Sequence, residues 1–288
     1  MPFVTRPGAS IHYVTHGAKG APAVVLLQGL GLSSRFWFDV PERLTKDDTE
    51  PRWVIAVDNR GTGKSGRPRP PWTMGTMADD VAAVLDHAGV NDAIVVGISM
   101  GGMIAQHVAL RHRARVRGLV LLATTPGFLA GALPELSALR RLLSVPFAGG
   151  DPTANMAHLL LPPSKWSRAR EIFRDWPEAM RHDPTPPATF AAHLFAASTH
   201  YVAPRLARID CPVVVAAGAD DRLIPKRNAE VLARRLPQAE LEVIPDTGHA
   251  LFADDRDLVC RLVVRLEQRL SGREKASEGA GVRRLKVG

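Results

Sequence analysis

The chain is expected to fold as an α/β protein, a mostly parallel central sheet with helices on both faces and an inserted helical lid. Three observations carry that expectation. Apolar, β-branched runs alternate with amphipathic stretches up to about residue 125, and the alternation resumes near residue 206, which is the rhythm of strands joined by crossover helices. Between those limits the rhythm breaks into a stretch rich in Pro, Trp, Phe, Leu and Met, with no strand pattern. Finally, 288 residues, 45% of them hydrophobic and 23% charged, suit a soluble globular chain of one large α/β domain or a domain with an insertion.

Taken in order, the strand candidates are SIHYVTHG (10–17), AVVLLQG (23–29), WVIAVDN (53–59), AIVVGIS (93–99), GLVLLAT (118–124), PVVVAAG (212–218) and ELEVIPD (240–246). The last six end in polar or glycine-containing turns, at the carboxyl edge where open α/β sheets place their ligands. Helices fit between them. TMADDVAAVLDHAG carries Met77, Val81, Val84 and Leu85 at helical spacing and stops at Gly89. MGGMIAQHVALRH follows Ser99, and DLVCRLVVRLEQRL closes the fold. Residues 1–125 and 206–270 therefore form the core, and 126–205 form a lid of short helices such as PELSALRRLLSVPF, AREIFRDWPEAM and ATFAAHLFAAS. Most lid aromatics are expected to serve its own packing, although any single one, such as Trp166, Phe173 or Phe195, could touch a ligand. Residues 271–288 are expected to be a disordered basic tail.

Composition excludes several functions. The formal charge is +8, but the C-terminal stretch concentrates Arg273, Lys275, Arg283, Arg284 and Lys286 against Glu274 and Glu278. The remaining excess is spread over helix-like surfaces such as ALRHRARVR and EVLARRLPQ, with no nucleic-acid motif, so a solvated basic surface is expected and no nucleic-acid partner. No stretch reaches the roughly 18 apolar residues of a membrane span, and the first residues lack a signal sequence, so a cytoplasmic location is expected. Cys211 and Cys260 lie far apart in apolar segments, which suits buried reduced thiols. The histidines make no metal-ligand spacing, and neither a dinucleotide fingerprint nor a full P-loop is present, so neither metal nor cofactor is expected.

Chemistry is concentrated around Ser99. A Gly-x-Ser-x-Gly motif arises by chance in roughly one chain in ten of this length at average composition. Its setting is more telling: AIVV supplies a buried strand before it and GGMIAQHVAL a helix after it, the context of a strained turn that exposes a nucleophile. Small residues, here Gly97 and Gly101, are needed two positions to either side. A serine hydroxyl also needs a base and an orienting carboxylate. His249, after the last strand candidate and before the closing helix, is best placed as the base. Asp220 and Asp221, at the end of PVVVAAG, offer the carboxylate.

At this point the chain resembles the α/β-hydrolase fold family over about residues 9–270. GISMGG matches the family's nucleophile turn, GADDRLIP its Gly-x-x-Asp-x-x-x-Pro acid loop, and DTGHALF its histidine loop. The resemblance implies Ser99, Asp221 and His249 as the catalytic residues, with Asp221 rather than Asp220 as the acid. It also implies an oxyanion hole from the backbone amides of Leu30 and Met100. In LLQGLGLSSRFW, Gln28 stands where the family commonly has a histidine. DNRGTGKS resembles a loop that is structural in the family, so Asp58 and Arg60 are expected to brace. The implied function is a serine hydrolase acting on a small-molecule carboxylic ester or lactone with a hydrophobic portion, through an acyl-enzyme on Ser99. A carbon–carbon bond hydrolase or a perhydrolase would use the same residues, and a ligand-binding protein on this fold is the non-enzymatic alternative.

Overall fold

Strands form where the apolar runs lie, and the computed structural model describes residues 2–46, 51–145 and 151–284. In the first half, β1 (Phe3–Arg6), β2 (Ala9–Gly17), β3 (Ala23–Leu27), α1 (Val40–Thr45), β4 (Trp53–Val57), α2 (Met74–Ala88), β5 (Ala93–Ile98), α3 (Met100–Arg111) and β6 (Val116–Leu122) follow one another. Among the described residues five α-helices come next, α4 (Leu136–Ser144), α5 (Pro152–Leu160), α6 (Ala169–Ile172), α7 (Trp176–His182) and α8 (Pro187–Ser198), with no strand between them. The chain then returns through β7 (Val213–Gly218), α9 (Arg227–Arg235), β8 (Ala239–Ile244), α10 (Leu251–Asp254) and α11 (Leu258–Arg284).

The eight strands make one sheet in the order β1-β2-β4-β3-β5-β6-β7-β8. β1 pairs antiparallel with β2, and β2 with β4; every other pairing is parallel. Every residue of β3, β4, β5 and β7 is buried, as strands covered on both faces must be. Alternation still sorts their side chains. Val25 and Leu27 of β3 join the layer containing Met77, Val81, Met103 and Ile104 of α2 and α3, whereas Val24 and Leu26 join Leu44 of α1 and Leu258, Leu262 and Leu266 of α11. On the outer strand β8, Glu240 and Glu242 pair with Arg269 and Arg265 of α11 at 3.1 and 2.6 Å, while Leu241 and Val243 on the opposite face are exposed.

Local signals set the helix ends. Thr73 caps α2, its hydroxyl accepting from the Thr76 amide at 3.0 Å, and Gly89 closes the helix at φ 73°. Two expectations need correction. β1 escaped the pattern because it is a four-residue edge strand with half-exposed and exposed positions. The closing helix runs on to Arg284, through most of the stretch expected to be disordered. Glu, Lys, Arg and Ala of that stretch are strong helix formers, and a helix already anchored by Leu262 and Leu266 extends without a new nucleation step. Residues 285–288 of the expected tail and 146–150 of the expected lid lie outside the described residues. No helix among the described residues is long and apolar enough to cross a membrane.

Candidate active site

The turn between β5 and α3 holds Ser99 at φ 55°, ψ −118°, backbone that a non-glycine residue adopts only under constraint. The constraint is visible. The Ser99 amide donates to Leu122 O at 2.8 Å, and its carbonyl accepts from Gly102 N, Met103 N and the Thr124 hydroxyl at 3.0, 3.2 and 2.7 Å. A Cβ at Gly97 would lie 2.3 Å from Gly101 O, and one at Gly101 would lie 2.0 Å from Leu27 O. Helix and strand therefore approach each other at a distance only glycine permits, and the serine is raised at the amide end of the 12-residue α3.

His249 follows β8 and Asp221 follows β7, and the fold brings them together. His249 Nδ1 lies 2.8 Å from Asp221 Oδ2, and the Asp221 side chain is wholly buried. The other oxygen, Oδ1, accepts from the amides of Leu223 and Ile224 at 2.9 and 2.8 Å. A buried carboxylate held this way presents Oδ2 to the imidazole, so Nδ1 carries the proton and Nε2 is left as the basic nitrogen. Asp220 is exposed, and its amide donates to Thr247 O at 3.0 Å. Ser99 and His249 line the same cavity; the imidazole's hydrogen bond found among the described residues runs to Asp221 and not to the serine.

A tight turn spans Gly29–Leu32 beside Ser99. Leu32 N donates to Gly29 O at 3.2 Å and Gly31 has φ 76°, the glycine-demanding third position of a type II turn. Gly29 N donates to Gln28 Oε1 at 3.1 Å, Gly31 N to His193 Nδ1 at 3.1 Å, and Gly31 O accepts from the Thr185 hydroxyl. Among the described residues, neither the Leu30 amide nor the Met100 amide donates to a protein acceptor. Because a trans peptide opposes its N–H and C=O, using Gly29 O for the turn aims Leu30 N–H the other way. Gln28 is buried and uses both ends of its carboxamide, Nε2 donating to Phe36 O at 2.9 Å.

Ser99 and His249 open onto a cavity of about 330 Å³. Leu30, Leu223 and Phe252 line it from the sheet side, and Leu142, Met156, Leu159, Trp176 and Phe190 from the helices of 126–205. The lid aromatics considered from the sequence are elsewhere: Phe173 is in the core, Trp166 donates its indole N–H to Leu161 O at 3.2 Å, and Phe195 is exposed.

Comparison with known proteins fits this geometry. A family model described as the alpha/beta hydrolase fold matches residues 22–255. The chain belongs to the alpha/beta hydrolase fold family. Among curated relatives of this alpha/beta hydrolase is RutD of Azorhizobium caulinodans, provisionally named a carbamate hydrolase, 33% identical over 90% of this chain and 95% of that protein. Among solved structures, an esterase from Thermogutta terrifontis is 25% identical, with a TM-score of 0.76 over 93% of this chain and 98% of that one. The enol-lactonase of Burkholderia xenovorans shares the fold, with a TM-score of 0.79 at 23% identity over 93% of this chain and all of that one.

Elsewhere in this alpha/beta hydrolase, DNRGTGKS forms a brace. Asp58 accepts from Ser34 N at 2.7 Å, Lys64 N at 3.0 Å and His12 Nδ1 at 2.7 Å. Burial alone would raise its pKa, but these hydrogen bonds overcome burial and lower it. Arg60 forks onto the buried Asp80 with two bonds of 2.7 Å. Three insertion residues at the site had not been singled out from the sequence: His193 and Thr185 on the Gly31 turn, and Asp183, which accepts from the Ser33 hydroxyl at 2.7 Å. Cys260 is half-buried, its thiol pushed up to about 11 mainly by burial. No group of three His, Cys, Asp or Glu side chains able to hold a metal occurs among the described residues.

Proposed function

We propose that the protein is a serine hydrolase of carboxylic esters, lactones included, whose acyl portion is apolar. The observation that carries this is the buried Asp221–His249 pair facing the same apolar cavity as Ser99 on its strained turn. His249 Nε2 takes the Ser99 proton as Oγ attacks the ester carbonyl. The amides of Leu30 and Met100 receive the oxyanion, and the tetrahedral adduct collapses as His249 protonates the departing alcohol. Water, deprotonated by the same imidazole, then attacks the acyl-serine; the acid leaves and Ser99 regains its proton. Each half-reaction returns His249 to its starting state, so no external redox or acid–base partner is consumed.

Substrate class follows from the walls. A cavity of about 330 Å³ lined by leucine, methionine and aromatic side chains favours a short to medium apolar acyl chain or ring. Residues 126–205 act as the lid that closes this space over the serine. Cleavage of a carbamate is a second reading, supported by the provisional name of RutD. The same nucleophile and oxyanion donors serve a carbonyl flanked by nitrogen.

The test is a series of p-nitrophenyl esters from acetyl to decanoyl, with an N-alkyl p-nitrophenyl carbamate beside them, on the native protein and Ser99→Ala. Ester cleavage is expected to fall on the order of 10⁶-fold in kcat in the variant, or to the background rate. A folded Ser99→Ala protein that kept its rate would overturn the assignment, and a carbamate cleaved faster than every ester would replace the first reading by the second.

A further inference from the structure

The turn that presents the Leu30 amide is held from outside the core. Gly31 is its pivot, and both polar groups of Gly31 are taken by residues of the insertion: its N–H by His193 of α8 and its carbonyl by Thr185. His193 has no exposed surface. Its two bonds settle its tautomer, because an amide N–H can only donate and a carbonyl can only accept. Nε2, 2.9 Å from Arg60 O, carries the proton; Nδ1, 3.1 Å from Gly31 N, is the acceptor. Burial keeps the ring neutral and so keeps Nδ1 able to accept, its pKa pushed down to about 4. Arg60 is itself fixed by its fork onto Asp80. A chain of rigid contacts therefore runs from Asp80 through Arg60 and His193 to the peptide immediately after Leu30.

We propose that His193 is a positioning residue for the oxyanion hole: its neutral Nδ1 holds the Leu30–Gly31 peptide so that the Leu30 amide points at the developing oxyanion. The inference rests on the functional reading above. Its consequence is that the insertion sets the rate at which Ser99 reacts as well as the shape of the cavity. Gly31 can be held in this way because it has no side chain. A Cβ there would sit 3.2 Å from the Thr185 methyl, in backbone of positive φ.

Two substitutions separate positioning from simple attachment of α8. In His193→Asn the short amide puts an acceptor where Nδ1 was and loses the bond to Arg60 O. In His193→Gln the longer amide reaches the Nε2 position and keeps Arg60 but leaves Gly31 N–H unpaired. The readouts are kcat and KM on p-nitrophenyl butanoate, with inhibition by butylboronic acid, whose tetrahedral adduct on Ser99 needs the same oxyanion donors. His193→Gln should lose about 10- to 100-fold in kcat, less than deletion of a donor would cost, with KM within about twofold and boronate affinity falling in step. His193→Asn should recover most of that loss even where its melting temperature is the lower of the two.

The reverse ranking, equal losses, or a change confined to KM would overturn the proposal. If neither variant at 193 folds, Thr185→Val, at a half-buried position, decides it. A smaller fall in kcat and boronate affinity with KM kept supports positioning, and native kinetics overturn it. A native protein without Ser99-dependent turnover would instead sink the functional reading; turnover that survives His193→Gln undiminished sinks only this inference.

Discussion

Asp220 and Asp221 are neighbours in the chain, yet the turn after β7 sends their side chains to different solvents. Asp221 is sealed from water with both oxygens engaged, one on the amides of Leu223 and Ile224 and the other on His249. Asp220 faces solvent. Asp221→Asn should therefore lower kcat by about 10⁴-fold, because an amide can present its NH₂ group to Nδ1 and favour the wrong tautomer. Asp220→Asn should stay within about twofold of the native rate, since an exposed carboxylate with no part in the hydrogen bonding is cheap to neutralise. Stopped-assay kinetics with a thermal melt of each variant check both, and a larger loss in Asp220→Asn than in Asp221→Asn would move the role of acid to Asp220. Gln28 illustrates the same logic of donors and acceptors. It supplies one donor to Phe36 O and one acceptor to Gly29 N, so the glutamine braces the turn where a histidine is common in the family.

At the scale of elements, the junction of β5 and α3 is tightly constrained by packing. Gly101→Ala would place a methyl 2.0 Å from the Leu27 carbonyl, a backbone atom that cannot step aside without moving β3. The expected cost is about 2–4 kcal/mol of stability, with activity lost in proportion to the shift of the serine turn; urea unfolding and ester kinetics on one preparation would show it. A variant as stable and active as the native protein would mean that strand and helix are less tightly apposed than this. That junction was legible in the sequence because its demands are local: an apolar strand, two glycines two positions from a serine, then a helix. The interior strands were legible for the same reason. β1 was not, being short and only half-buried, nor was the helical course of the chain beyond Ser271. The cavity wall was not legible because which face a helix of residues 126–205 turns inward depends on what it meets. Trp176 and Phe190 line the cavity, while Phe173, three residues before Trp176, faces the core. His193 was invisible as a site residue because its partner Gly31 lies 162 positions away.

Across the whole molecule, buried imidazoles are among the groups that join residues 126–205 to the rest of the chain. His193 bonds the Gly31 turn and Arg60 O, while His200, just after α8, lies 3.1 Å from Thr125 O and 3.3 Å from His107 of α3. Burial pushes His107 and His193 down to about 4 and His200 to about 3, with Arg205 adding repulsion at the His107–His200 pair. Their pKa values in the folded state thus lie below the unfolded 6.5, so the unfolded chain binds more protons between about pH 4 and 6.5. Stability should be fully present above pH 6.5 and fall as the pH drops through that window. Each imidazole contributes about 1.4 kcal/mol per pH unit once its unfolded form is mostly protonated. Urea midpoints at pH 7.5, 6.5, 5.5 and 4.5 should fall steadily over the last three. His200→Gln can keep a donor for Thr125 O but cannot titrate, and it should flatten part of that slope. An unchanged midpoint from pH 6.5 to 4.5 would mean that these rings reach solvent and protonate in place, leaving the joint between insertion and core without the dry contacts assigned to it.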